Sequence, residues 1–337
     1  MSGTKIIQPG VSVDITQLQN ISAKGRAIPV PAPPPDILPG MVWELQTSPA
    51  AYQWRAITYG GGLFVAVARS GTGNRIMTSA DGVDWTLRST PADNDWRAIT
   101  YGNGLFVATS YEGTIMTSPN GINWTLRSSP AALRWLGVTY GSGPGLFVAV
   151  ASSGGVQRVI TSPDGITWTL RTAYSSYNWQ AVTYGNGWYV ALSTDTTGTA
   201  AIMRSNDGIN WSLSTPPPPN QNWQSVAYGA GVFASVSDNG TQRAITSPAG
   251  LTWTARDIVA NQWRGITFAE DIGDGSSLFA AVSISGTGDR VATSPDGVTW
   301  TAQESAADLS WLSVAWSPDL KMFAAVGNNS IMTSQEG

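Results

Sequence analysis

Acid–base chemistry in this chain rests on carboxylates alone, because its 337 residues include no His and no Cys. Without imidazole or thiolate there is no Ser-His-Asp triad, no cysteine nucleophile and no His- or Cys-ligated metal, and neither a cofactor nor a metal ion is expected. Paired carboxylates would suffice for glycoside hydrolysis. Nine acids stand apart from the repeated turns: Asp93, Asp95, Glu112, Asp195, Asp238, Glu270, Asp271, Asp274 and Asp308, and no two form a recognisable pair. The reading is therefore not an enzyme, with a glycosidase as the minor alternative. Binding chemistry is better represented. Arg55, Arg97, Gln180, Gln224 and Arg264 each follow a tryptophan directly, and side chains so placed offer hydrogen-bond donors to a polar ligand such as a glycan. The plainer expectation is that they bond backbone carbonyls of neighbouring units. Tyr52, Tyr174 and Tyr177, close to Asn94, Asn178 and Asn222 in composition and setting, complete the candidate ligand-binding set. With 12% charged residues and a net charge of -4, the chain lacks the basic footprint of a nucleic-acid partner.

These side chains sit in a repeat. Opening tryptophans occur at Trp54, Trp96, Trp135, Trp179, Trp223, Trp263 and Trp311, spaced by 42, 39, 44, 44, 40 and 48 residues. That period suits four short strands per unit. In the second unit, 96–101, 104–109, 113–117 and 122–127 read as strands, broken by Gly102-Asn103-Gly104 and Pro119-Asn120-Gly121, residues that tolerate the positive φ of tight turns. Segments such as Leu63 to Val67 are apolar on both faces, as sheets between sheets require. The expected fold is all-β: a seven-bladed β-propeller of four-stranded blades. Loops after the second strand vary most, at 70–74, 152–157, 193–199, 237–242 and 283–289, and variable loops on a rigid ring are a recognition design.

The last unit lacks a fourth strand. Residues 41–46 carry the missing pattern, with Trp43 preceding Trp54 as Trp85 precedes Trp96, so this segment is expected to close the ring as the outer strand of the last blade. The domains are then a docking arm and Pro-rich linker at 1–40 and the propeller at 41–337. Within the arm, the prolines of 28–35 read as a polyproline II spacer. No apolar run has the length of a signal peptide or a membrane span.

A second phrase, Ser-x-Asp-Gly-x-x-Trp, recurs between the tryptophans, and its copies pair Asp81 with Trp85, Asp164 with Trp168, Asp207 with Trp211 and Asp296 with Trp300. It resembles the Asp-box, the bacterial-neuraminidase-type repeat of sialidases and many other propellers, over almost the whole chain from residue 41. The resemblance implies that the Asp caps the turn and the Trp packs between blades, so these eight residues are structural. The present box is one residue shorter between Asp and Trp than the usual form, and Asn120 and Ala249 replace the Asp in two copies. Gly25-Arg26-Ala27-Ile28-Pro29 matches only part of the Phe-Arg-Ile-Pro motif of sialidases. The longer phrase, with Thr-Tyr-Gly-Asn-Gly-Leu-Phe-Val-Ala at 100–108, looks like propellers common in phage tails and bacterial surface proteins. This likeness implies a non-enzymatic virion protein of a tail fiber or baseplate that docks through residues 1–40 to other tail proteins and presents the ring to a host surface glycan. It would be extracellular without a signal peptide, without membrane insertion, and compatible with a homo-oligomer. A cellular lectin or assembly scaffold is the alternative.

Overall fold

The computed structural model describes residues 7–8, 11–12, 38–194, 201–215 and 221–335. Arg26, the 28–35 proline run, Asp195 and Gly337 lie outside the described residues. Two compact units divide the chain, Met1–Asp36 and Ile37–Gly337. In the first, strand Ile7–Gln8 pairs antiparallel with Val11–Ser12.

The second unit is a seven-bladed propeller, and its second blade shows the pattern. Strands Trp96–Gly102, Leu105–Ser110, Ile115–Ser118 and Thr125–Arg127 follow one another in an antiparallel meander from the innermost to the outermost. Asn103, at φ 50°, and Gly104, at φ 73°, make the tight first turn, where positive φ is required. The outer strand is shorter than the expected 122–127, because Ile122, Asn123 and Trp124 belong to the preceding turn. Six blades are built from consecutive strands. The seventh orders Trp311–Ser317, Met322–Gly327 and Ser330–Gln335 before Glu44–Gln46, so the ring is closed by a strand from the other end of the unit. Its register pairs Glu44 with Thr333, Leu45 with Met332 and Gln46 with Ile331.

Blades adhere through their faces. All seven opening tryptophans are fully buried, and second-strand side chains such as Phe64, Val65, Ala66 and Val67 are buried on both faces. Hydrophobic clusters cross blade boundaries, and Trp54, Ile57 and Phe64 of the first blade pack with Ala324, Val326 and Ile331 of the seventh. Burial of this apolar surface on both sides of every sheet is the main stabilising term.

The turn before each outer strand is a hydrogen-bonded unit. Asp81 Oδ1 accepts from Val83 N at 2.9 Å, Asp84 N at 2.8 Å and Ser79 Oγ at 2.9 Å. Trp85 Nε1 donates to Gly82 O at 2.9 Å. Asp164, Asp207 and Asp296 accept in the same way from the amides of Ile166 and Thr167, Ile209 and Asn210, and Val298 and Thr299. Trp168, Trp211 and Trp300 donate to Gly165, Gly208 and Gly297. Asn120 Oδ1 serves equally, accepting from Ile122 N and Asn123 N. The seventh turn is assembled from two distant segments: Gly40 N donates to Ser334 Oγ at 2.7 Å, and Trp43 Nε1 to Gly40 O at 3.1 Å.

Candidate functional site

The innermost strands open each blade with a buried Trp, and the residue after it has no partner in the pairing. In the first blade Trp54 faces Ala68 and Ala56 faces Val67, leaving Arg55 in a β-bulge. The same register shift isolates Arg97, Leu136, Gln180, Gln224, Arg264 and Leu312. A bulge adds one residue to one strand and re-aims a side chain. Seven bulges at one level aim seven side chains at the axis, where all seven line one cavity bounded by the seven innermost strands. A second cavity of about 310 Å³ shares Arg55, Arg97, Leu136, Gln180, Gln224 and Arg264 with it and is also lined by Tyr111, Thr194 and Asn222. Close approach of strands permits the convergence: a Cβ on Gly265 would stand 2.9 Å from Ser313 Cα of the next blade.

The expectation that these donors bond neighbouring backbone carbonyls is corrected by the structure. Arg97, Gln224 and Arg264 bond side chains at the mouth instead. Arg97 pairs with Asp95, and its guanidinium lies 5.0 Å from the Tyr111 ring. Arg264 Nη2 pairs with Asp238 Oδ2 at 2.9 Å, and its Nη1 donates to Gln224 Oε1 at 3.0 Å. Gln224 Nε2 donates to the same Asp238 oxygen at 3.0 Å. The bulge explains the correction, since it turns the side chain away from the sheet and toward the axis. Other arginines hold the carbonyls. Arg75 donates to Gly71 O, Arg69 O and Asn94 O, and Arg290 to Gly286 O, Ile284 O and Leu309 O. Arg158 donates to Gly155 O, Ser152 O and Tyr177 O. These three pin the variable loops after the second strands to the loops that enter the same mouth from the fourth.

Arg55 differs from its neighbours. It is half-buried and, among the described residues, makes no hydrogen bond or ion pair. Burial pulls its guanidinium down to about 10, with repulsion from Arg97 and Arg69 adding to the effect and the Asp95 carboxylate opposing it. It still carries its proton at neutral pH. Around the ring, other buried polar atoms lack partners: Asp95 Oδ1, Arg97 Nε, Asp238 Oδ1, Arg264 Nε and Asn222 Oδ1.

Tyr52, Tyr174 and Tyr177 are not among the side chains lining either cavity. Tyr52 packs on Trp54, with ring centroids 5.8 Å apart, and donates to Asn74 Oδ1 at 2.7 Å. Tyr177 lies edge-on to Trp179 at 5.9 Å, and Tyr174 is 54% exposed. The turn carboxylates Asp81, Asp164, Asp207 and Asp296, with their tryptophans, also stand outside these cavities. Tyr111 was not singled out by sequence reasoning. Its signal was the loop Tyr111-Glu112-Gly113, shorter than the corresponding loops of the first, third, fourth, fifth and sixth blades. Of the unassigned acids among the described residues, Asp95 and Asp238 bond the side chains at the bulges. Asp93 and Asp308 pair with Arg75 and Arg290, and Asp271 with Lys321. Glu112 accepts from Asp95 N and Asp274 from Ser276.

Comparison with known proteins agrees with the fold. The profile of a family described as the DUF6242 beta propeller domain matches residues 41–178. No curated protein sequence matches the chain. Among solved structures, a catalytically inactive virginiamycin B lyase from Staphylococcus aureus with quinupristin aligns with a TM-score of 0.71 at 12% identity, covering 87% of this chain and 99% of that one. YCF48 from Cyanidioschyzon merolae aligns with a TM-score of 0.63 at 14% identity, covering 87% and 98%. The Pan2 WD40 domain of Neurospora crassa aligns with a TM-score of 0.64 at 8% identity, covering 89% and 98%. At these identities the likeness shows the propeller fold, and the functions of these neighbours vary.

Proposed function

We propose that this propeller is a non-enzymatic recognition protein that binds a host surface glycan at the bulge-lined mouth of its ring, as a receptor-binding component of a phage tail fiber or baseplate docked through residues 1–40. One observation carries the binding reading: seven register shifts deliver one side chain each to a single polar mouth, five of them hydrogen-bond donors. Bulges are over-represented at rims and beside active sites, where they re-aim a side chain or terminate pairing. Glycosidase chemistry is disfavoured by the same geometry. Asp95 and Asp238 are each engaged by an arginine, whereas a glycosidase needs one carboxyl free to donate its proton. The tail assignment rests on the repeated phrase and its likeness to tail propellers.

A protein-binding scaffold is the second reading, favoured by the structural neighbour YCF48 bound to D1 peptide, aligned with a TM-score of 0.61 at 14% identity. A glycan array probed with the full chain, with the bound glycans then analysed for cleavage, tests the proposal. Retention of one glycan class without released sugar is expected. Release of sugar, or an array without signal, overturns it.

A further inference from the structure

The residues at the seven bulges are not equivalent, and their order round the ring is informative. Leu312, Arg55, Arg97, Leu136, Gln180, Gln224 and Arg264 follow one another, so the cations share one arc that includes Leu312 between Arg264 and Arg55, the carboxamides stand on the other, and Leu136 separates Arg97 from Gln180. Three guanidiniums face two carboxylates, Asp95 and Asp238, which are taken by Arg97 and Arg264. Among the side chains that line the two cavities, Arg55 is the guanidinium left without a carboxylate partner. A half-buried cation without a partner is partly desolvated, and an entering anion offsets that cost. Nothing in the ring's packing requires it there: Leu occupies the same bulge position in two blades.

The excess sets the ligand's charge. One unpaired guanidinium suits a singly charged carboxylate, which Arg receives through paired N–H donors. Leu136 and Leu312 offer apolar surface of the kind that meets the carbon face of a sugar ring. Gln180, for which no hydrogen bond is made among the described residues, offers a donor and an acceptor to hydroxyl groups. The unpartnered oxygens of Asp95 and Asp238 are acceptors poised for hydroxyl protons or water. From this arrangement we infer that the mouth binds an acid-bearing sugar of the hexuronate type, its carboxylate on Arg55 and its hydroxyls on the Gln180 side. This deepens the proposed glycan recognition and rests on it.

Calorimetric titration of the full chain at fixed ionic strength with sodium glucuronate and, separately, glucose tests the inference, because the two differ chiefly at the carboxylate. Glucuronate is expected to bind at least tenfold tighter than glucose, and to weaken with added salt as a charge contact does. Arg55→Gln removes the preference, whereas Arg55→Lys keeps part of it. The Tm of Arg55→Gln should equal or exceed that of the parent, since the substitution removes a desolvated charge. Equal affinity for the two sugars overturns the inference, as does a preference that survives Arg55→Gln; tighter binding of glucose 6-phosphate than glucuronate overturns the single-charge assignment. If array glycans bind while the two monosaccharides do not differ, the acid inference fails and glycan recognition stands. If glucuronate binds through Arg55 while no array glycan does, the site assignment stands and the surface-glycan reading fails.

Discussion

At the scale of the residue, the fifth blade shows what its turn lacks. Wherever Asp or Asn occupies the turn, the preceding Ser donates to it: Ser79 to Asp81, Ser118 to Asn120, Ser162 to Asp164, Ser205 to Asp207 and Ser294 to Asp296. In the fifth blade the position is Ala249, and Ser247 Oγ is left buried without a partner, as is Trp253 Nε1. The turn is held from the neighbouring blade instead, by Arg204 Nη1 on Ala249 O at 2.9 Å and by Ser214 Oγ on Gly250 O. Ala249→Asp restores an acceptor to Ser247 and caps the two following amides, while placing a carboxylate near Arg204. Capping groups of this kind contribute about 0.5–2 kcal/mol. Ala249→Asp is therefore expected to stabilise the ring by about 1 kcal/mol in urea unfolding. The same substitution in a Ser247→Ala background should give less, because part of the gain is the Ser–Asp bond; an equal gain in both backgrounds would remove that bond from the account.

At the scale of the element, the turns and the bulges differ in how they show in the sequence. The Asp-Gly-x-x-Trp turn is local, so its residues announce it: Asp81 and Trp85 lie four positions apart and bond within that span. Local hydrogen bonds also set a pH dependence. Backbone amides hold the Asp81 and Asp164 carboxyls below the usual range, as the Thr299 amide does for Asp296. Asp207 lies lower still, the amide and side chain of Asn210 outweighing the burial that opposes them. A depressed carboxyl contributes stability above its unfolded value, which is lost as pH falls through the folded one. The Tm should therefore fall as pH drops below about 4. Replacing the four by Asn keeps the cap, as Asn120 demonstrates, and should flatten that decline; a parallel decline in the variant would mean that other carboxylates govern it. The bulges are different. Strand 96–101 reads as a regular alternation, and nothing within Trp96-Arg97-Ala98 signals that Arg97 is the extra residue, because a bulge is a relation to the partner strand. For the same reason the partnership of Arg97 with Asp95, or of Arg264 with Asp238 across two blades, could not be read from spacing.

At the scale of the whole molecule, the ring was legible because a repeat with a buried Trp in every copy leaves closure as the way to cover both end blades. Closure depends on a three-residue strand. Glu44–Gln46 joins the seventh blade through three register pairs, with Gln46 Nε2 donating to Thr333 Oγ1 at 2.8 Å as Arg88 Nε does to Thr78 Oγ1. Packing adds more than the strand's length suggests. Trp43 is 5% exposed, its ring centroid is 6.0 Å from that of Phe323, and it shares a core with Ala280, Val282 and Met332. Emptying a buried Trp site costs roughly 3–5 kcal/mol, a large fraction of a typical domain's stability. Removal of residues 1–46 takes away the strand, that tryptophan and the Gly40 bond to Ser334. Removal of residues 1–36 spares all three, since the propeller unit begins at Ile37. The first deletion should lower the Tm sharply and the second leave it nearly unchanged, with Trp43→Ala in the full chain reproducing most of the larger loss. Equal melting of the two truncated chains would mean that the ring holds without its clasp, and that the contacts between the first and seventh blades, such as Trp54 and Ile57 with Val326, are sufficient by themselves.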